Sequence, residues 1–385
     1  MHLKPRWITL LLLCFLCLNQ IKPTGALEEP SARIGHEMIY DPVGERVFLF
    51  GGSIWENNRY TFYNELWSYT EGGWAMIDVP GEKPEGRFNI PMVYLPEHHQ
   101  IFLFGGFSNR DRIGDTWTYD ITDNTWTHVI TETSPPRRSD AAIAYDMENG
   151  VVVMFGGYGL NDEILDDTWV FDFSEMNWVE KTPENKPLTQ YGGHMIYDSV
   201  NGKLLMYPGH WSIRSGGITQ SHGYGDEIWV YDYEGDDWTE LETQPKPEGR
   251  YWFNIAYDST EGELVLFGGS GGGDDQLQDT WKYNYEFNTW TRIGIGTMPP
   301  GRANSAMAYD ASRDIIVLFG GSHFGHTDYG DTWILEMESG TWSIASGADN
   351  QSEGSSTGIP GFPLLGVLLG IVFIVWIKDF CKVRV

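Results

Sequence analysis

Short apolar runs ending in a pair of glycines return along the chain at nearly constant spacing. They read VFLFGG to Gly52, IFLFGG to Gly106, VVMFGG to Gly157, LVLFGG to Gly269 and IVLFGG to Gly321, with an imperfect LLMYPG to Gly209. The final glycines lie 54, 51, 52, 60 and 52 residues apart. Around each run the polar and apolar positions divide into four strand-sized segments separated by turn residues. The first segment ends in Tyr40, Tyr94, Tyr145, Tyr197, Tyr257 or Tyr309, and the second is the apolar run itself. The third carries Trp67, Trp117, Trp169, Trp229, Trp281 or Trp333, and the fourth Trp74, Trp126, Trp178, Trp238, Trp290 or Trp342. Six such units fill the chain from Arg33 to Trp342. One unit cannot bury both of its faces alone, so the pattern predicts a single closed domain of stacked sheets.

A period near fifty residues, with double glycine, an acid before Trp, Tyr-Asp and a second Trp, resembles the kelch repeat. The resemblance covers about four fifths of the chain and implies an all-β, six-bladed kelch-type β-propeller of four-stranded antiparallel blades. Its first strands would surround a central channel. The chain begins and ends in phase, so closure is expected to rest on packing between the first and sixth blades.

Two columns of charge accompany the repeat. Arg33, Arg87, Arg138, Arg250 and Arg302, with Gln190 in the fourth unit, stand seven residues before the tyrosines. Glu65, Asp115, Asp167, Glu227, Asp279 and Asp331 stand two residues before the third-strand tryptophans. A group that recurs in every blade serves the scaffold, and Arg pairs well with carboxylate where both are partly buried. The glycines Gly51, Gly52, Gly105, Gly106, Gly156, Gly157, Gly268, Gly269, Gly320 and Gly321 are structural for the same reason.

The chain carries 54 acidic and 25 basic residues, and the balance between Leu27 and Gly358 is more acidic still. Such a field repels phosphate backbones and excludes nucleic acid as the expected partner. Its three cysteines, Cys14, Cys17 and Cys381, all fall outside the repeats, so no disulfide framework is expected there.

Both ends suggest a cellular address. Lys4 and Arg6, the apolar stretch Trp7 to Leu18 and then Thr24-Gly25-Ala26 follow the plan of a secretory signal peptide over 1–26. The propeller is expected over 27–342, a Ser/Gly-rich stalk with the sequon Asn350-Gln351-Ser352 over 343–358, and an uncharged transmembrane helix over 359–377. A basic cytoplasmic tail, 378–385, would leave the propeller facing out from a single-pass cell-membrane anchor. Ile359-Pro360-Gly361-Phe362-Pro363 resembles the Pro-Gly-Phe anchor signal of archaeal surface proteins, in part.

Antiparallel blades sort their connections onto two faces, and the second-to-third and fourth-to-first connections are the longer and more varied. Recognition usually sits on variable loops carried by a rigid scaffold. The fourth unit carries an insert from His210 to Gly225 containing Trp211, Arg214, His222 and Tyr224, and the first a smaller one with Trp55 and Tyr60. Aromatics beside Arg and His suit sugar stacking or a protein hot spot, so these six are the candidate ligand-binding residues. Against them stands a rim-packing role for the same aromatics. His323, His326 and Asp328, and the acidic run Asp162, Glu163, Asp166 and Asp167, are weaker candidates for metal. No cofactor is called for and no nucleophile–base motif stands out. The expectation is a module binding an extracellular protein or glycan, with a surface carbohydrate-active enzyme on the same scaffold as the alternative.

Overall fold

The computed structural model describes residues 29–346, apart from 110, 216–217, 274–275, 295 and 324–327. The innermost strands are Ile34–Asp41, Met92–Leu95, Ala142–Asp146, His194–Asp198, Asn254–Asp258 and Ala306–Asp310, one in each of six blades. The fifth blade is the plainest: Asn254–Asp258, Glu263–Phe267, Thr280–Asn284 and Thr289–Ile293 pair antiparallel in chain order. The Val/Ile/Leu/Phe content of the second strands suits a strand buried on both faces, and Phe48, Phe102, Val153, Val265 and Val317 are fully buried. The last blade ends with Thr341–Ser346.

Apolar side chains gather into a cluster at each of the six interfaces between neighbouring blades. The one holding Met38, Leu49, Trp74, Ala306, Val317 and Phe319 joins the last blade to the first. Closure therefore uses the packing expected, and it also uses hydrogen bonds. At the start of the inner strands six amides form a continuous ring: Gly35 N–H donates to Asn304 O (2.8 Å), Asn89 to Gly35 (2.6 Å), Asp140 to Asn89 (3.1 Å), Gly192 to Asp140 (3.0 Å), Trp252 to Gly192 (2.9 Å) and Asn304 to Trp252 (2.9 Å). All six residues have positive φ, between 52° and 67°.

The glycine pairs serve the same closure. At Gly269, φ 94°, the amide donates to Arg302 O of the next blade. A Cβ on its neighbour Gly268 would lie 2.7 Å from that carbonyl oxygen, so only glycine lets the blades approach.

The Arg and acid columns pair within a blade. Arg138 is fully buried; its Nη1 and Nη2 donate to the two oxygens of Asp167 (2.6 Å each), Nη1 also reaches Gly156 O, and Nε reaches Pro136 O. Asp167 then accepts from Trp169 Nε1. Arg87–Asp115, Arg250–Asp279 and Arg302–Asp331 repeat this geometry, and Arg33–Glu65 a single-contact form. The fourth blade has no arginine here: Gln190 Oε1 accepts the Gly209 amide, and Lys246 pairs instead with Glu227 and Asp226.

A second column joins blades. Trp74, Trp178, Trp238 and Trp342 donate their indole N–H to Thr332, Thr116, Thr168 and Thr280 of the preceding blade, at 2.9–3.1 Å. Trp126 and Trp290 are buried with no partner for this N–H, because the corresponding residues are Leu66 and Ile228. Replacing Thr332 with Val should leave Trp74 in the same state and cost about 1–3 kcal/mol of stability by urea unfolding. A cost near zero would mean that the hydroxyl is not a significant partner.

The expectation of an all-β propeller plus a transmembrane helix needs correction. Among the described residues no helix is long and apolar enough to cross a membrane, and the helical segment there is a single short turn, Leu160–Asp162. Among the described residues the fold is all-β and kelch-like, with no transmembrane helix. Within 29–346 the apolar runs are short and the buried side chains face neighbouring sheets, which is the chemistry of strands. The segments 1–26, 347–358, 359–377 and 378–385, with the leader, most of the stalk, Asn350 and the anchor signal read into them, lie outside the described residues.

Candidate functional site at the channel mouth

The inner strands enclose a channel with a cavity volume of about 460 Å³. Its two ends differ. Each inner strand finishes in the tyrosine column, and in every blade but the second a buried aspartate follows the tyrosine and holds a short turn. Asp198, for example, accepts from the Val200 and Asn201 amides and from Tyr257 Oη. The other end carries the amide ring and opens among the longer loops.

At that mouth the ring residues are glycine, Asn or Asp, which tolerate positive φ, in every blade but the fifth. There it is Trp252, at φ 52°. A tryptophan in this region is strained, and such strain collects at ligand clamps and switch points. Its indole passes the fourth blade, where a Cβ on Gly192 would lie 2.8 Å from Trp252 Cδ1, and donates to Asp140 Oδ1 of the third blade at 2.9 Å. Asp140 also accepts from Asn89 Nδ2 and Ser139 Oγ (2.6 Å each). Burial raises its pKa against these hydrogen bonds.

An aromatic surface extends from Trp252. Tyr251 lies 4.4 Å from it and stacks on Tyr224 (5.4 Å, 18°), while Tyr191 touches Trp252, Tyr251 and His210. His222 stacks on His210 at 5.6 Å. The fourth-blade insert is thus a hairpin, His210–Ser215 with Ile218–Tyr224, and it pairs with Gln190–Tyr191 rather than hanging free. A second aromatic group lies on the first two blades, where Tyr60 stacks over Phe88 (6.0 Å, 16°) and meets Trp55 at 4.6 Å.

The six candidate residues are therefore divided. Tyr224 and His222 join the patch beside Trp252, and Trp55 and Tyr60 belong to the other. Trp211 lies under the hairpin backbone, 2.6 Å from where a Gly223 Cβ would stand. The Arg214 backbone pairs with Thr219, and its side chain is outside the described residues. Trp252, Tyr251, Tyr191 and Asp140 were missed. The signal was present two residues after each arginine, where one Trp interrupts a column of Gly, Asn and Asp.

Inside the mouth, burial pushes the Glu37 carboxyl up to about 8, opposed by a hydrogen bond from the Met38 amide. Burial, aided by the Arg33 charge, takes His36 down to about 3, and burial takes His194 to about 4. Among the described residues no group of three or more His, Cys, Asp or Glu side chains is arranged to hold a metal. Asp162 accepts from Tyr158, Asp166 pairs with Lys186 and Asp167 with Arg138. His326 lies outside the described residues.

Six four-stranded blades, a closed amide ring and a loop-lined mouth define a kelch-type β-propeller. The KLHDC2/KLHL20/DRC7 kelch-repeats domain family matches residues 15–209 and 209–357, and the chain belongs to that family. It is 25% identical over 329 residues to Kelch domain-containing protein 2 of Bos taurus, covering 76% of each. It is 28% identical over 223 residues to an F-box/kelch-repeat protein of Arabidopsis thaliana, across 53% of this chain and 44% of that one. It is 26% identical over 322 residues to the flagellar outer-arm dynein alpha chain of Chlamydomonas reinhardtii, across 78% of this chain and 7% of that one. The chain thus spans less than half the length of the latter two. Kelch repeats in these relatives suggest a protein-interaction module.

Proposed function

We propose that the propeller binds a protein segment on its long-loop face, over the mouth bridged by Trp252, in preference to a glycan. Trp252 carries this reading: a strained, half-buried tryptophan in the centre of a loop-lined face is the form a binding anchor takes. Tyr251, Tyr224 and Tyr191 enlarge the surface, and their mutual packing pre-organises it before any partner arrives. The proposal sets the module outside the cytoplasm, on the charged, apolar and small-residue pattern of 1–26.

A displayed random-peptide library selected on the full chain tests the binding face. Peptides recovered should lose about tenfold or more in affinity to Trp252→Ala, a hot-spot loss, with the unfolding midpoint checked alongside. Recovered peptides indifferent to Trp252 and Tyr251 would sink the proposal, as would binding confined to a glycan array.

A further inference from the structure

We infer that the chamber beneath the Trp252 mouth is a subsite for a cationic side chain, an ammonium or guanidinium, carried by the bound segment. The inference rests on the reading of the mouth as the binding face and adds the chemistry of what enters it.

The lining of the cavity carries the argument. It includes two carboxyl side chains, Glu37 and Asp140, and not one Lys or Arg. His36 also lines it and is 3% exposed. Its Nε2 lies 3.1 Å from Phe319 O, so the neutral ring donates there and Nδ1 is left as an acceptor without a partner. Both His36 and His194 are kept neutral by burial, so neither supplies positive charge to the chamber. An anion here would meet two carboxyls with no cationic side chain on the wall, and burying it uncompensated is costly.

A cation finds the reverse. The Glu37 carboxyl has one amide donor, from Met38, and an ammonium beside it would favour its ionised form. Asp140 holds the Trp252 indole by its N–H, which fixes an aromatic wall at the entrance, where cation–π attraction adds to the charge interaction. The acidic balance of the whole chain draws cations toward the same opening. The chamber volume, about 460 Å³, is within the range of small-ligand pockets and ample for a lysine or arginine side chain.

The test uses the full chain at about pH 8 with butylammonium as probe, against butanol and butyrate, followed through the Trp252 indole N–H by NMR. Butylammonium should bind at least about tenfold more tightly than butanol, and Glu37→Gln should remove about that advantage while leaving butanol unchanged. Asp140→Asn should act in the same direction, and Glu37→Met, also uncharged, guards against an effect peculiar to the amide. Equal binding of butylammonium and butanol, stronger binding of butyrate, or indifference to both Glu37 variants overturns the inference. If selected peptides still depend on Trp252 while butylammonium fails, the binding face stands and the cation subsite falls.

Discussion

Arg138→Ala should destabilise the propeller by about 3–5 kcal/mol, the cost of stranding a largely buried carboxylate. Arg138 is fully buried and Asp167 only 18% exposed. The guanidinium ties the start of the inner strand to Gly156 O and, through Asp167, to Trp169 on the third strand. Urea unfolding of the variant against the parent reads the loss directly. Arg138→Lys should recover only part of it, since an ammonium cannot span both carboxylate oxygens while keeping the carbonyl contacts. A loss below about 1 kcal/mol would mean that the pair is worth no more than an exposed one. The fourth blade forms with Gln190 in this position, so the arginine is a means of tying the strands and the blade geometry does not depend on it alone.

Stability should pass through a maximum near pH 6.5, set by three channel groups that oppose one another. Glu37 holds its proton more tightly folded than unfolded, between its ordinary 4.5 and about 8. Through that window the folded state carries the extra proton, so stability falls as pH rises and levels off above 8. His36 and His194 behave oppositely, at about 3 and 4 against 6.5. The unfolded state takes up their protons first, so stability is lost as pH falls below 6.5. Between 4.5 and 6.5 two histidine protons outweigh one from Glu37, and acid destabilises. The other ionisable groups of the channel wall are Asp140, raised in the same sense as Glu37, and the tyrosine column. Arg33 is the charge that acts on His36.

Urea unfolding between about pH 5 and pH 9 should show both limbs, each on the order of 1 kcal/mol because the opposing groups partly cancel. Glu37→Gln should flatten the alkaline limb and steepen the acid one, because Glu37 then no longer opposes the two histidines between pH 4.5 and 6.5. An alkaline limb unchanged by that substitution would show that Glu37 is not the group responsible.

The repeat columns were legible because each depends on spacing within one blade. The Arg–carboxylate pairs link residues 28 to 32 apart, always in the same phase of the repeat. The loop residues chosen for aromatic content were less well placed, since composition does not say which rings pack on the rim. Tyr224 lies against Tyr251, and Trp211 lies beneath its own hairpin.

The sequence by itself determined the number of blades, their four strands, the buried columns and the face that carries the longer loops, since all of these recur locally. Only the tertiary structure decided what closure brings together. Trp252 and Asp140 are 112 residues apart, and Gly35 meets Asn304 only when the last blade reaches the first. Glu37 acquires its altered acidity only once six strands surround it. Those relations depend on the curvature that six packed interfaces impose, and no local pattern of residues encodes it.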